Sequence, residues 1–170
     1  MTIRPATLMD HEAIAEVNRQ AFAGEAEAQL VDRLRVDGVV VVELVCVQDA
    51  RVVGHILFSE LRIDTVDGGV PAVSLAPIAV RSECQRQGIG AALVNEGLAR
   101  CREVGMKAAI VLGHPDYYPR FGFSAALAAK LESPFSNAGD AWMAVELESG
   151  ALANVCGKVR YPEAFGIVQH

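Results

Sequence analysis

The chain has 170 residues, 52% of them hydrophobic and 21% charged, with a formal net charge of -6 and an isoelectric point near 5.2. That length is enough to bury a sizeable core in one domain, 1–170, and the balance is that of a globular rather than a disordered chain. No basic stretch is available to neutralise a phosphate backbone, so nucleic acid is set aside as a partner.

Residues 1–10 carry Arg4 and Asp10 without a continuous apolar core, unlike a secretory or transit segment. The apolar run Val39–Val47 is broken by Glu43 and is too short to span a bilayer. Cys46, Cys84, Cys101 and Cys156 are scattered, with no CxxC pair or metal-ligand spacing. Free thiols in a reducing cytoplasm are the expectation, with no membrane association.

Thr2–Ala6 reads as a short first strand, and Asp10 stands where a helix N-cap belongs. Ile14, Val17, Ala21 and Phe22 recur at helical spacing, and Ala26, Leu30, Val31 and Leu34 repeat it before Gly38. Two short helices broken near Gly24 are expected. Three strand-like runs follow: Val39–Val47, Arg51–Ile63 and Ala72–Val80, separated by "QDA" and by "DTVDGG", whose glycines suit a hairpin. Their connections are too short for crossovers, so an antiparallel meander is predicted.

From Gly88 the period becomes helical, with Ile89, Leu93, Gly97, Leu98, Cys101 and Val104 on one face and Gly105 as the stop. Ala108–Leu112 reads as a buried strand, "GHPDYYPRFGF" as a tight turn with a short helix, and Ala141–Glu148 as a further strand before the closing "GKVRYPEAF". The strands on either side of the 88–105 helix should be parallel, since a crossover helix joins them. The predicted fold class is mixed α/β: a central sheet, mostly antiparallel with one parallel strand pair, flanked by helices. Ligands of such sheets favour the carboxyl ends of the parallel strands.

The chemistry-bearing stretch is "QRQGIG", Gln85–Gly90, between a strand and a helix. The first N–H groups of that helix lack internal partners, and glycines let an anion approach the main chain. With the positive end of the helix dipole this makes a cradle for a pyrophosphate, rimmed by Gln85, Arg86 and Gln87. A Rossmann loop would need a third glycine where Leu93 stands, and a Walker loop would need Gly-Lys-Ser/Thr. Alone, the stretch is equally a plain structural turn.

A second block, "DYYPRFGF", places Tyr118 four residues before Gly122-Phe123. Together, Gln85-x-x-Gly88-x-Gly90 and Tyr118-x-x-x-Gly122-Phe123 resemble the GNAT superfamily of N-acetyltransferases, as do the opening "IRPAT" and the element order. The resemblance implies that Gln85, Arg86, Gln87, Gly88, Ile89, Gly90 and Ala91 bind the pyrophosphate of acetyl-CoA, the cosubstrate. It also implies that the main chain of Ile78, Ala79 and Val80 lies along the pantetheine arm. Pro77 has no N–H for a central ladder and reports a bulge or an opened edge; an ordinary edge proline is the alternative. By the same resemblance Tyr118 is the general acid toward the departing thiolate, Ile78 or Ala79 supplies an oxyanion donor, and Phe121 touches the pantetheine. Phe123 is expected to pack, and Tyr117 to be structural or to line the acceptor site.

The implied reaction is acetyl transfer to a primary amine of a small molecule or a protein. Residues 72–80 carry no acid where many relatives have a glutamate, so the base stays open among Glu60, His55, His114, Glu25, Glu27 and water. The four histidines show no paired spacing, so no metal is expected. A non-catalytic acyl-CoA-binding or sensing domain is the alternative function. Oligomeric state is not encoded in any motif, and a homodimer is left open.

Overall fold

A computed structural model describes residues 1–166. The elements in order are β1 (Thr2–Pro5), α1 (His11–Phe22), α2 (Ala26–Val36), β2 (Val40–Gln48), β3 (Arg51–Asp64), β4 (Ala72–Val80), α3 (Ile89–Glu103), β5 (Ala108–Leu112), β6 (Leu131–Glu132), β7 (Trp142–Glu146) and β8 (Gly157–Arg160). Hydrogen-bonded neighbours run β1-β2-β3-β4-β5-β7, with β8 joined to β3 and β6 to β8. The predicted mixed α/β class holds, including β4 parallel to β5. A two-residue parallel pairing of β6 with β8 adds to it. The described residues divide into two compact units, Met1–Ser59 with Ala76–Arg100, and Glu60–Leu75 with the described residues from Cys101 on.

In the first unit β1 lies antiparallel to β2, Ile3 opposite Cys46, and β2 antiparallel to β3, Val45 opposite His55. Residues 52–59 of β3 are all buried instead of alternating, because both faces are covered. Gly54 faces Ile89 and Leu93 of α3, while His55 meets Asn18 of α1. Burying side chains such as Phe58, Ile56 and Leu57, each fully enclosed, contributes about 1.5–3 kcal/mol apiece. Gly97 of α3 is required by that packing, since a Cβ there would collide with the Phe58 ring.

The helix break falls one residue before Gly24: Ala23 closes α1 in the left-handed region, φ 55°. Asp10 does precede α1, but its side chain makes no cap bond to that helix. Its carboxylate instead accepts two hydrogen bonds from Arg4, at 2.7 and 2.9 Å, and one from the N–H of Thr7 at 2.8 Å. Arginine is the stronger partner, and the pairing ties β1 to the start of α1 while holding the Asp10 carboxyl far below its usual range.

In the second unit Ala72–Ser74 of β4 pair with Ala108–Ile110 of β5, and β7 runs antiparallel along the other side of β5, Trp142 opposite Leu112. A core of Ile63, Ala72, Ile110, Leu131, Trp142 and Val159 is closed by Tyr161. Phe135 and Phe165 each meet the Tyr161 ring edge-on at 5.0 Å. The indole N–H of Trp142 donates to the Leu131 carbonyl at 2.9 Å, which satisfies the one polar atom of a buried ring.

Candidate active site

The turn expected to hold the pyrophosphate lies in the first unit, next to the buried Arg81. That arginine is 4% exposed. Its main-chain N–H donates to Val53 at 2.9 Å, and its Nε donates to the Val52 carbonyl at 2.9 Å. The end of β4 is thereby clamped onto β3. The chain then turns through Ser82–Cys84, and Gln85 donates from Nε2 back to the carbonyl of Val80 at 3.2 Å. Arg86 and Gly88 both take left-handed φ values, 62° and 84°, on either side of Gln87. Alternation of this kind turns successive N–H groups toward one concavity.

Among the described residues, no backbone N–H from Arg86 to Ala91 has a hydrogen-bond acceptor. Arg86, Gln87 and Gly88 are exposed. A Cβ at Gly88 would meet nothing within 4 Å, so it is the φ of 84°, not crowding, that asks for glycine. This is a donor-rich, anion-ready turn at the start of a 15-residue helix. Ile78 and Val80 are half-buried and Ala79 is 3% exposed. The paired register of β4 with β5 stops at Ser74, ahead of Pro77, as a residue without an N–H requires.

Tyr118 lies in the second unit, at the start of a short 3-10 turn, Tyr118–Phe121, and is 8% exposed. Its ring meets Tyr117 edge-on at 5.2 Å and Phe123 at 5.7 Å, with Phe121 tilted at 6.3 Å. The hydroxyl has no hydrogen bond among the described residues. Desolvation, aided by the neighbouring Tyr117, pushes the phenol up to about 12. Gly113, which follows β5 directly, was not singled out in the sequence. A Cβ there would strike the Tyr118 ring, so this glycine defines where the phenol sits. Its sequence signal is a glycine between an apolar run and "HPDYYP". Phe123 is packed as expected, at 1% exposure, and Tyr117 stacks beneath the Arg120 guanidinium, 4.3 Å from its ring centre.

The candidate bases are dispersed. Glu60 and His114 are exposed in the second unit; in the first, Glu25 is exposed and Glu27 half-buried. Glu25 is paired with Arg19 at 2.8 Å. His55 is fully buried: its Nε2 lies 2.8 Å from Glu43 Oε2 and its Nδ1 lies 3.2 Å from Asn18 Nδ2. The amide donates to Nδ1, so Nε2 carries the proton and donates to Glu43. Arg35 donates to Glu43 from two nitrogens, at 3.1 and 2.6 Å. Burial holds His55 below its ordinary pKa, against the pull of Glu43. For Glu43, desolvation pushes upward, but the hydrogen bonds from His55 and Arg35 outweigh it and hold the carboxyl at about 2. A histidine so enclosed is a structural donor, and its place in this network was not legible from its strand position. Among the described residues no three His, Cys, Asp or Glu side chains are grouped to hold a metal ion, and the four cysteines are free. No helix among them is long and apolar enough to cross a membrane.

Residues 2–126 match the acetyltransferase (GNAT) domain family. Over 166 residues the chain is 36% identical to the uncharacterized N-acetyltransferase YhbS of Escherichia coli K12, covering 97% of this chain and 98% of that protein. The crystal structure of the Escherichia coli GNAT family N-acetyltransferase YhbS in complex with CoA is similar, with TM-score 0.91 and 34% identity, over 97% of this chain and 91% of that one. So is a GNAT family acetyltransferase from Brucella melitensis in complex with acetyl-CoA, with TM-score 0.80 and 30% identity, over 96% and 97% of the two chains. The turn of unpaired N–H groups, the enclosed phenol and these similarities agree: the chain belongs to the GNAT family of acetyltransferases.

Proposed function

We propose that this protein transfers the acetyl group of acetyl-CoA to a primary amine, with the main chain of residues 86–91 holding the pyrophosphate and Tyr118 assisting the leaving thiolate. The observation that carries the proposal is the run of N–H groups from Arg86 to Ala91 without acceptors among the described residues. An anion is the partner such a turn lacks. Arg86 and Gln87 add exposed side-chain donors at its rim, and the pantetheine arm runs along Ile78–Val80.

The amine attacks as the free base, because an ammonium of pKa about 10 has no lone pair. The nitrogen bonds to the carbonyl carbon, the C–S bond breaks, and the nitrogen sheds its proton to water. A main-chain N–H of Ile78 or Ala79 receives the oxyanion charge. Tyr118, held at about 12 by desolvation, stays protonated across the working range. Full proton transfer from such a phenol to a thiolate of pKa about 8.5 is uphill by roughly 5 kcal/mol. That gap favours a hydrogen bond that stabilises developing thiolate charge, with solvent completing the protonation. The acceptor is a small-molecule or protein amine rather than nucleic acid, in keeping with the net charge of -6. We place the reaction in the cytoplasm.

Tyr118→Phe tests the assignment. Calorimetric affinity for acetyl-CoA should stay within about threefold, while CoA release with a panel of primary amines falls by about 10²–10⁴. Turnover within threefold of the parent would remove Tyr118 from the chemistry. Acetyl-CoA binding without turnover on any amine, in parent and variant alike, would favour an acyl-CoA sensor.

A further inference from the structure

Where β3 runs beside β2 it carries one extra residue: the register shifts from Cys46 opposite Gly54 to Val47 opposite Val52. Such a bulge re-aims the chain and interrupts the ladder. Arg81 donates to both carbonyls at this point, its main-chain N–H to Val53 and its Nε to Val52, each at 2.9 Å. Three further links around Arg81–Glu83 lie at the surface. Arg81 Nη1 stands 3.4 Å from the exposed Glu16, the N–H of Ser82 donates to Gln20 at 3.3 Å, and Glu83 pairs with Arg51 at 3.3 Å. Exposed contacts of this kind contribute little, so the buried Nε bond is the one that decides where β4 ends. Packing does not account for an arginine here. The residue is 4% exposed, and burying a charge costs more than burying an apolar side chain of similar volume. What arginine adds is a directed donor.

From Arg81 the hydrogen bonds step toward the glycine turn. The N–H of Cys84 donates to the Arg81 carbonyl at 2.8 Å, and Gln85 reaches back to Val80 at 3.2 Å. We infer that Arg81 is a positioning residue: by fixing the end of β4 on the β3 bulge it pre-sets the turn at Arg86–Ala91 for the pyrophosphate of acetyl-CoA, acting through the main chain rather than on the cosubstrate. The inference rests on the proposed function. A turn that is ordered before binding avoids the loss of affinity that ordering it on binding entails.

Arg81→Met keeps an unbranched stem and removes the side-chain donors. Circular dichroism checks its fold, and calorimetry with acetyl-CoA should show binding about tenfold to a hundredfold weaker than in the parent. Glu16→Gln, which alters only the exposed contact, should stay within about twofold. Amide hydrogen exchange of the free protein gives a readout that a merely structural role would not produce. The Cys84 N–H should exchange at least about tenfold faster in Arg81→Met, while that of Ile56, buried in β3, changes by less than about threefold. Affinity within twofold of the parent in a folded Arg81→Met, equal acceleration at both amides, or an equal loss of affinity in Glu16→Gln would overturn the inference. Should Arg81→Met not fold, Arg81→Lys takes its place, with a loss of at least about threefold expected because one ammonium replaces the guanidinium fork; if neither folds, Arg81 is a structural residue and the inference falls. No binding of acetyl-CoA by the parent removes the proposed function and this inference with it, whereas binding by the parent with an unaltered variant removes the inference alone.

Discussion

Gly113→Ala puts a methyl group against the ring of Tyr118 and is the most direct probe of how the phenol is held. The ring cannot simply swing away, since it is 8% exposed and flanked by Tyr117, Phe121 and Phe123. Overpacking of this kind costs about 1–3 kcal/mol. Gly113 is not in the left-handed region, so alanine there also gains about 0.4–1 kcal/mol by restricting the unfolded chain. The net loss should be about 1–2 kcal/mol, or roughly 2–8 °C in Tm for a chain of this size. Urea unfolding followed by the single tryptophan, the buried Trp142, measures it. In a Tyr118→Ala background the obstacle is gone, and Gly113→Ala should become neutral or slightly stabilising. The coupling energy between the two positions should therefore be about 1–3 kcal/mol. Additivity within about 0.5 kcal/mol would refute the reasoning, because the glycine would then not be positioning the ring.

Two further outcomes follow from the titrating groups. Glu43, held at about 2 against an ordinary 4.5, contributes about 3 kcal/mol of stability that is complete above pH 4.5 and lost as pH falls toward 2. His55, held below 6.5 by burial, acts in the same direction, because the unfolded chain takes up its proton first as pH drops. Chemical denaturation from pH 8 to 3 should show stability declining from about pH 6.5 and more steeply below about 4.5; a flat profile would contradict the buried network, and Glu43→Gln should flatten the lower part. In the second case, turnover with a simple amine should rise toward the amine pKa near 10 without a descending limb below about pH 11, because Tyr118 titrates at about 12. A descending limb near pH 10 would mean that the phenol is not desolvated.

Much of the frame was legible because local chemistry and tertiary packing agree. The bounds of β4 and β5 fall where the apolar runs meet their turn residues, and β4 before α3 before β5 dictates the parallel pair. What eluded the sequence depends on partners remote in the chain. β6 is two residues long and exists through its pairing with β8, which no periodicity marks. His55 reads as an available base in "VVGHILF", yet its surroundings come from Asn18, Arg35 and Glu43 on three other elements. Asp10 was legible as a residue that matters at a helix start, but not that Arg4 would outcompete the helix for its carboxylate. The turn at Gln85–Gly90 was legible through Gly88, whose φ of 84° few other residues accept. The clamp beneath it was not, because Arg81 looks like any arginine beyond a strand until its burial is seen.

The central claim is the capture of acetyl-CoA by the turn at Arg86–Ala91, and calorimetric titration of the parent and of Gly88→Asp with acetyl-CoA tests it most directly. Aspartate places a negative charge in the cradle, and Gly88→Ala controls for the left-handed φ of 84°. Saturable binding by the parent, with affinity at least about tenfold weaker in a folded Gly88→Asp than in Gly88→Ala, is the predicted result. No binding by the parent, or equal binding by the aspartate variant, would contradict the account.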